Sequence, residues 1–400
     1  MPDQSPPVGN QRPEASSQRS DVQLPQRGLD GATVFIDTDA LQHNASIARS
    51  LAPASDILAV VKADAYGHGA IASARALAAS VDGFAVARIE EACALREAGI
   101  AQPIIALSPV WSQQAAATCK REGITPVLFA ADEFITQFRE CADQQLPFWL
   151  KLDTGFHRLG LQQISTATAA AARSALCEAV ITHFHSADQQ HDDGINLQLN
   201  RFAQQLLALR PAASARLSIA NSSILLRGGH DPLLAQLPGQ HLNPGWTRPG
   251  IMLYGANPLE APLRGGNTPL RPAMHFAAPV IDVRQIRTGD AVGYNQRWRA
   301  ARSSTIATVA AGYADGYPRH ASSGTVVAIG GQQAKLVGTV SMDTLCVDVT
   351  ELTSQRPVNI GDTAELWGAQ VPAERVASSA ATIPYALFTG IAPRTRRQLL

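Results

Sequence analysis

The sequence has no C-x-x-C pair and only five cysteines, Cys93, Cys119, Cys141, Cys177 and Cys346, spread along 400 residues. An odd, scattered set of this kind excludes a disulfide framework and a cysteine-based zinc site, and it suits free thiols in a reducing cytoplasm. No apolar run reaches the roughly 20 residues that a transmembrane helix needs. There is no net charge either: Lys+Arg and Asp+Glu both number 33. That balance gives no reason to expect nucleic acid or an anionic membrane as a partner. Several catalytic signatures are also missing: a G-x-x-x-x-G-K-[ST] phosphate loop, a G-x-G-x-x-G after a strand, H-E-x-x-H and a G-x-S-x-G elbow. The opening stretch MPDQSPPVGNQRPEASSQRSDVQLPQRGLDG lacks the apolar segment of a secretory signal. It carries Asp3, Glu14 and Asp21, which count against a transit peptide. Rich in Pro, Gln and Ser, residues 1–30 read as a disordered tail.

The rest of the chain has material for large cores, with 46% hydrophobic residues, and its length points to two domains. Strand-like apolar runs begin near Ile57, Gly83, Pro103, Pro126, Pro147, Ala179, Leu217 and Thr247. Between them lie stretches such as RIEEACALREAGI and LQLNRFAQQLLALR, whose composition and period favour amphipathic helices. Strands alternating with helices imply a parallel sheet. Eight such units predict a (β/α)8 barrel over 31–265, with a doubly wound open sheet as the alternative. After Tyr254 a Pro/Gly-rich linker, NPLEAPLRGGNTPLRP, changes the texture. Beyond it, short strand-like runs with Gly/Asp turns predict an all-β domain over 266–400, with one helix at PAERVASSAA.

In a barrel, the C-terminal strand ends face one active site. The polar residues found there are Lys62, Arg88, Ser108, Lys151, His183, Asn221 with Ser222, and Arg248. A packed core needs none of them, and burying an unpaired charge is costly. The set predicts a site for a polar or anionic ligand. Lys62 closes the apolar run LAVV; an amine desolvated in that way is suited to nucleophilic and Schiff-base chemistry. Pyridoxal phosphate is the commonest cofactor for it.

The segment AVVKADAYGHGA (59–70) resembles the pyridoxal-phosphate signature of the alanine racemases. The similarity continues in order through LKLDTGFHRLG (150–160), THF (182–184), ANSS (220–223), TRPGIMLYG (247–255), AVGYN (291–295), AGYADGYPR (311–319), VSMDTLCVDV (340–349) and TIPYALFTGIAPR (382–394). It covers residues 31–400, and the family's barrel-plus-β-domain fold agrees with the pattern above.

The resemblance implies roles residue by residue. Lys62 would hold pyridoxal phosphate and, once freed, act as one base. Tyr294 would be the second base, reaching the site from the other subunit of a homodimer. Racemisation removes a proton from one face of Cα and returns it to the other, so two bases are the natural design. A tyrosine of ordinary pKa about 10 needs help near neutrality, and the matching residues are His183 and Arg248. Arg248 would donate to the pyridine nitrogen. Tyr66, Ser222, Gly250, Ile251 and Tyr385 match the phosphate site, with Asn221 beside them. Arg158 would touch the cofactor's ring oxygen and the substrate. Lys151 matches a lysine often carbamylated by carbon dioxide; the alternative is an unmodified amine paired with Asp153. Met342 and Asp343 match a substrate-carboxylate pair supplied by the partner subunit, and Tyr313 a tyrosine at the channel mouth. No metal is implied. The expected activity is interconversion of L- and D-alanine, supplying D-alanine for peptidoglycan.

The chain departs from the family pattern at Phe156, where methionine is usual, and at Thr339, where arginine is. The loop HSADQQHDDGIN and Asn295-Gln296-Arg297 after the tyrosine also depart from it. These bear on substrate breadth, and serine or larger amino acids remain rival substrates. A decarboxylase of the same architecture is a further rival, but it would pair an acid with the pyridine nitrogen where Arg248 stands. A non-enzymatic single-barrel cofactor carrier would lack the second domain.

Overall fold

The structure is a computed structural model that describes residues 23–129, 133–189, 193–228, 230–237, 245–259, 270–353 and 356–400. Strand β1 (Thr33–Ile36) leads into a helix, Thr38–Leu51, capped by Asp37, whose carboxylate accepts from the Ala40 N–H at 2.9 Å. Such a cap is worth about 1 kcal/mol. Eight strands then alternate with helices: β2 (Asp56–Val60), β3 (Gly83–Val86), β4 (Ile104–Ala106), β5 (Ile124–Leu128), β6 (Phe148–Lys151), β7 (Cys177–Ile181), β8 (Arg216–Ser218) and β9 (Trp246–Thr247). They pair in parallel in the order β8-β7-β6-β5-β4-β3-β2-β9. The ring closes just past the ends of β8 and β9, through a parallel bridge of Asn221 with Arg248, whose N–H donates to the Ala220 carbonyl at 2.8 Å. All eight runs expected from the sequence are present, and the barrel replaces the open-sheet alternative.

The second domain is built on β10 (Met274–Ile286), a strand long enough to serve several partners. After it come a ribbon of β11 (Ala291–Val292) and β12 (Trp298–Arg299), then β13 (Ser304–Val309), β14 (Val326–Ile329), β15 (Gln332–Val337), β16 (Leu345–Asp348), β17 (Thr363–Trp367) and β18 (Arg396–Leu399). Strands β10, β13, β16, β15, β14 and β17 form a closed antiparallel ring. The helix expected at PAERVASSAA is Ala373–Ser379, joined by Thr350–Thr353 and Pro384–Thr389.

Two expectations about the chain's first segment need correction. β1 was expected within the barrel segment, yet it lies in the second domain's sheet, antiparallel to β10 and parallel to β18. Its four residues are all buried, so it needs a sheet on both sides, and β9 already fills the place beside β2. Of the expected tail, residues 1–22 lie outside the described residues. Residues 25–27 are paired with the second domain: Thr363 donates to the Gln26 carbonyl at 3.0 Å, and Arg27 bridges Asp362 at 2.8 Å. The expected domain boundary at 265/266 also lies outside the described residues.

One hydrophobic core runs through both domains. Asn44, fully buried, ties the first helix to both. Its amide donates to the carbonyls of Leu253 (3.0 Å) and Arg271 (2.7 Å) and accepts from the Arg271 N–H at 2.8 Å. Among the described residues no helix is long and apolar enough to cross a membrane.

Candidate active site

Lys62, half-buried, follows β2 after Val61 and begins a turn of unusual conformation. Ala63, Asp64, Ala65 and Tyr66 all have left-handed φ, 53°, 54°, 52° and 52°. Left-handed backbone costs a non-glycine residue about 1–2 kcal/mol, so the surroundings must hold this turn. Asp64 accepts from the Ala70 N–H at 2.7 Å, and Arg397 of β18 donates to the Gly67 carbonyl at 3.3 Å. Gly67 itself has φ +80°, and any Cβ there would stand 2.1 Å from the Phe388 carbonyl oxygen. The turn is thus seated on the second domain. Behind it His68 is buried between Tyr254 and Phe388, with Nδ1 3.1 Å from the carbonyls of Ala65 and Tyr66.

The barrel mouth gathers cations. Burial lowers the Lys62 amine's pKa, and the Arg158 guanidinium lowers it further. Lys151, at the end of β6, falls to about 8 through burial and then Arg248, Arg158 and Lys62. His183, just past β7, falls to about 3 for the same reasons, burial first and then Arg248, Lys151, Arg158 and Lys62. Arg248, after β9, is lowered to about 10 by burial. Lys151, Arg158 and His183 line one small cavity with Phe156, and Lys62 and Arg248 are near enough to act on them. Arg248 is anchored there by Nη1 to the Ser218 carbonyl (2.8 Å) and hydroxyl, and by Nη2 to the Thr182 carbonyl (2.6 Å). Arg158 lies over the face of Phe156 at 4.3 Å, and the same ring tilts against His183 at 5.7 Å. Asp153 does not balance Lys151 through an ion pair among the described residues. Its oxygens accept from the N–H groups of Gly155 and His157, both at 3.0 Å, and from the Gln162 amide at 3.0 Å. Burial and mutual repulsion favour the neutral forms of these groups, and a bound anion would favour the charged ones.

Beside the cations is a small hydroxyl-lined cradle. The Ser222 hydroxyl accepts from the Gly250 N–H at 2.9 Å, and Asn221 caps the short helix Ser222–Leu226 through the Ile224 N–H at 3.1 Å. A second turn, Ile251–Tyr254, starts at Gly250. Over both stands Tyr66, its ring 4.9 Å from Tyr254 and 5.7 Å from Tyr385. Burial pushes the Tyr66 hydroxyl's pKa up and that of Tyr385 to about 12, so both are proton donors at neutral pH. Two tyrosine hydroxyls, a serine and turn N–H groups are donors suited to an anion.

Of the strand-end set, Arg88 does not join. It is exposed and stands at the N-cap of the next helix, Ile89–Glu97. Tyr294 lies on the second domain, in the turn between β11 and β12, and is 64% exposed. Its carbonyl accepts from Thr339 at 3.5 Å, which ties it to the loop of Met342 and Asp343. Gly312 lets that loop cross, since a Cβ there would meet the Met342 carbonyl oxygen at 2.3 Å; Tyr313 N–H donates to the Ser341 carbonyl at 3.1 Å. Tyr294, Tyr313 and Met342 are each exposed on the second domain, while Lys62 sits in the barrel.

Residues 36–258 match the family model described as alanine racemase, N-terminal domain, and residues 273–399 that described as alanine racemase, C-terminal domain. The chain belongs to the alanine racemase family. It is similar to the alanine racemase of Marinobacter nauticus, 40% identical over 367 residues that cover 90% of this chain and 97% of that protein. It is also similar to the crystal structure of the biosynthetic alanine racemase from Pseudomonas aeruginosa, with 36% identity, TM-score 0.81, and 93% and 100% of the two chains covered. A third similar structure is alanine racemase from Bartonella henselae with covalently bound pyridoxal phosphate, at 29% identity, TM-score 0.78, covering 93% of this chain and all of that one. The chain is an enzyme of this family, and its reaction is the racemisation of alanine.

Three supporting residues had not been found from the sequence. Glu91 contacts the turn after Lys62. Arg394 joins Asp315 (2.8 Å) to Asp343 (2.7 Å). Ser218 anchors Arg248. Only Glu91 left a signal, as a carboxylate in the first turn of a helix, where a capping box would place it.

Proposed function

We propose that the chain racemises alanine with pyridoxal phosphate held at Lys62, and that Tyr294 of a second copy completes the site. The observation that carries the reading is the convergence of Lys62, Lys151, Arg158, His183 and Arg248 beside the Tyr66–Ser222–Gly250 cradle. The donor set fits the cofactor. An amine with a lowered pKa suits imine formation, the cradle suits a phosphate, and no side chain at residue 250 would leave room for Tyr66.

Bound pyridoxal phosphate would supply an electron-withdrawing ring that makes the Cα proton of an attached amino acid removable. The chain's own residues do the rest. Tyr66, Ser222, Tyr385 and the backbone at Gly250 and Ile251 would hold the phosphate, with Asn221 fixing the helix start. Arg248 has five N–H donors, and its bonds to Ser218 and Thr182 leave donors for the ring nitrogen. An arginine cannot hand that nitrogen a proton, which favours racemisation over side reactions. Arg158 would contact the cofactor's ring oxygen and the substrate.

The Lys62 amine serves the face from which D-alanine loses its Cα proton. The hydroxyl of the partner copy's tyrosine at position 294 serves the L face, giving its proton to Cα in one direction and taking one in the other. His183 and Arg248 lie on the path that would tune it. Met342 and Asp343 would approach the substrate carboxylate from the same partner domain, with Tyr313 at the mouth of the channel. The exposure of Tyr294, Tyr313 and Met342 on the second domain supports a homodimer in which one chain's second domain covers the other's barrel. The reading places the enzyme in the cytoplasm, supplying D-alanine for peptidoglycan.

The test is incubation with pyridoxal phosphate and L-alanine in deuterated water, following chirality and Cα deuterium together. D-alanine approaching an equal mixture, deuterated at Cα, supports the reading; Lys62→Ala should abolish both this and the bound cofactor's absorbance. No exchange with alanine and full exchange with serine would reassign the substrate.

A further inference from the structure

We propose that Glu91 is a positioning residue for Lys62, its carboxylate clamping the first peptide after the lysine to the end of the neighbouring barrel strand. The inference rests on the reading that Lys62 carries the chemistry.

The argument starts from the strained turn. Four consecutive non-glycine residues with left-handed φ follow Lys62, at about 1–2 kcal/mol each. Nothing in the sequence KADAY favours that conformation, so contacts from outside must hold it. On the side away from the second domain the contact is Glu91. Its Oε1 accepts from the Ala63 N–H at 2.7 Å. Its Oε2 accepts from the N–H groups of Ala87 at 2.8 Å and Arg88 at 3.0 Å, just past β3. Hydrogen bonds to a carboxylate are roughly twice as strong as neutral ones. A helix-capping role would account for Oε2, which accepts from the residue at the helix start. It does not account for Oε1, which leaves its own helix for the peptide bonded to Lys62.

Glu91 also carries charge into the site. The other groups that act on Lys62 or are acted on by it, Arg158, Lys151 and His183, are basic. Glu91 is the anion among them, and it opposes the fall in the lysine's pKa. One carboxylate therefore fixes where the amine points and moderates how readily it loses its proton.

Two variants separate these effects from simple stability. Glu91→Gln keeps one acceptor oxygen and loses the charge. Asp64→Asn weakens the far end of the same turn, where Asp64 accepts from Ala70 at 2.7 Å. In Glu91→Gln, backbone deuterium exchange across 58–69 of the cofactor-free protein should accelerate. The pH midpoint for imine formation with added pyridoxal phosphate should move down by roughly half to one unit. The kcat for alanine should fall roughly tenfold with KM little changed, as expected when a reacting group is misplaced. Asp64→Asn should leave the midpoint where it is. Should Glu91→Gln not fold, Glu91→Asp keeps the charge and the helix cap but shortens the reach; it should show the faster exchange and lower kcat with the midpoint retained. Wild-type exchange and midpoint in the folded Glu91 variant would overturn the proposal, leaving a helix cap. Cofactor absorbance retained in Lys62→Ala would instead overturn the underlying reading, whatever Glu91 does.

Discussion

The hydroxyl of Tyr66 stands 2.7 Å from the point where the Cβ of any side chain at Gly250 would begin. The two residues are far apart in sequence, in the turns that follow β2 and β9, which are neighbours in the barrel. In the proposed reading their approach forms the floor of the phosphate site, and Tyr254 and Tyr385 pack against the Tyr66 ring.

Gly250→Ala should therefore displace the Tyr66 hydroxyl while leaving the barrel folded. Overpacking of one methyl costs about 1–3 kcal/mol. The expected result is a lowered Tm with unchanged far-UV circular dichroism, and pyridoxal phosphate bound roughly tenfold more weakly, a loss of about 1.4 kcal/mol. Titration of the cofactor absorbance checks it; wild-type affinity would mean the phosphate does not sit here.

Why some of this was legible in the sequence and some was not has a physical basis. Strands such as β2, β3 and β4 are buried on both faces, so LAVV, PIIAL or PVLFA reads as an apolar run with a polar residue where the strand leaves the core. Lys62, Lys151, His183 and Arg248 were found in that way. The left-handed turn 63–66 could not be read, because Ala, Asp and Tyr all prefer other conformations. Strand β1 was misplaced because its partners, β10 and β18, lie more than two hundred residues away, and an apolar run of four does not name its sheet. Ser218 and Arg394 act through distances that no local pattern encodes. Tyr294 and Met342 lie in exposed turns, and only the family resemblance gave them a role.

Tyr294→Phe removes one hydroxyl from an exposed turn and touches no core residue. It should keep bound cofactor and Tm. Cα–H exchange starting from L-alanine should fall by at least about 100-fold, the usual span of general base catalysis, while the proton on D-alanine still exchanges with solvent. Equal exchange from both enantiomers at wild-type rates would remove Tyr294 from the chemistry.

Lys151, with a pKa near 8, is about half neutral in mildly alkaline solution, and a neutral amine can add carbon dioxide. The nitrogen bonds to the carbon and releases one proton, giving a carbamate anion amid the cations. Protein equilibrated with 13C-bicarbonate should show a carbamate carbon resonance that is absent from Lys151→Gln. Identical spectra for the two proteins would leave Lys151 as an unmodified amine.

His68 and His275 are buried at 1% and 0% exposure, and burial lowers their pKa values to about 3 and about 4. In the unfolded chain both take up protons near pH 6.5; in the folded protein they do so only at the lower values. Stability is therefore retained above about pH 6.5 and lost as the pH falls towards 4, by about 1.4 kcal/mol per pH unit for each group. Denaturant melts at intervals from pH 7 to 4.5 should show this slope, and His68→Phe should flatten it. An unchanged slope in that variant would mean His68 is charged in the fold.

The central claim is that Lys62 of one chain works with Tyr294 of another, and subunit mixing tests it most directly. Lys62→Ala and Tyr294→Phe proteins, each inactive alone, would be mixed, allowed to exchange subunits, and assayed for conversion of L- to D-alanine. A mixed dimer holds one site with both bases intact, so activity should return to roughly a quarter of the wild-type rate when exchange is random. If the mixture stays inactive although mixed dimers have formed, the two bases belong to one chain and the shared-site account is wrong.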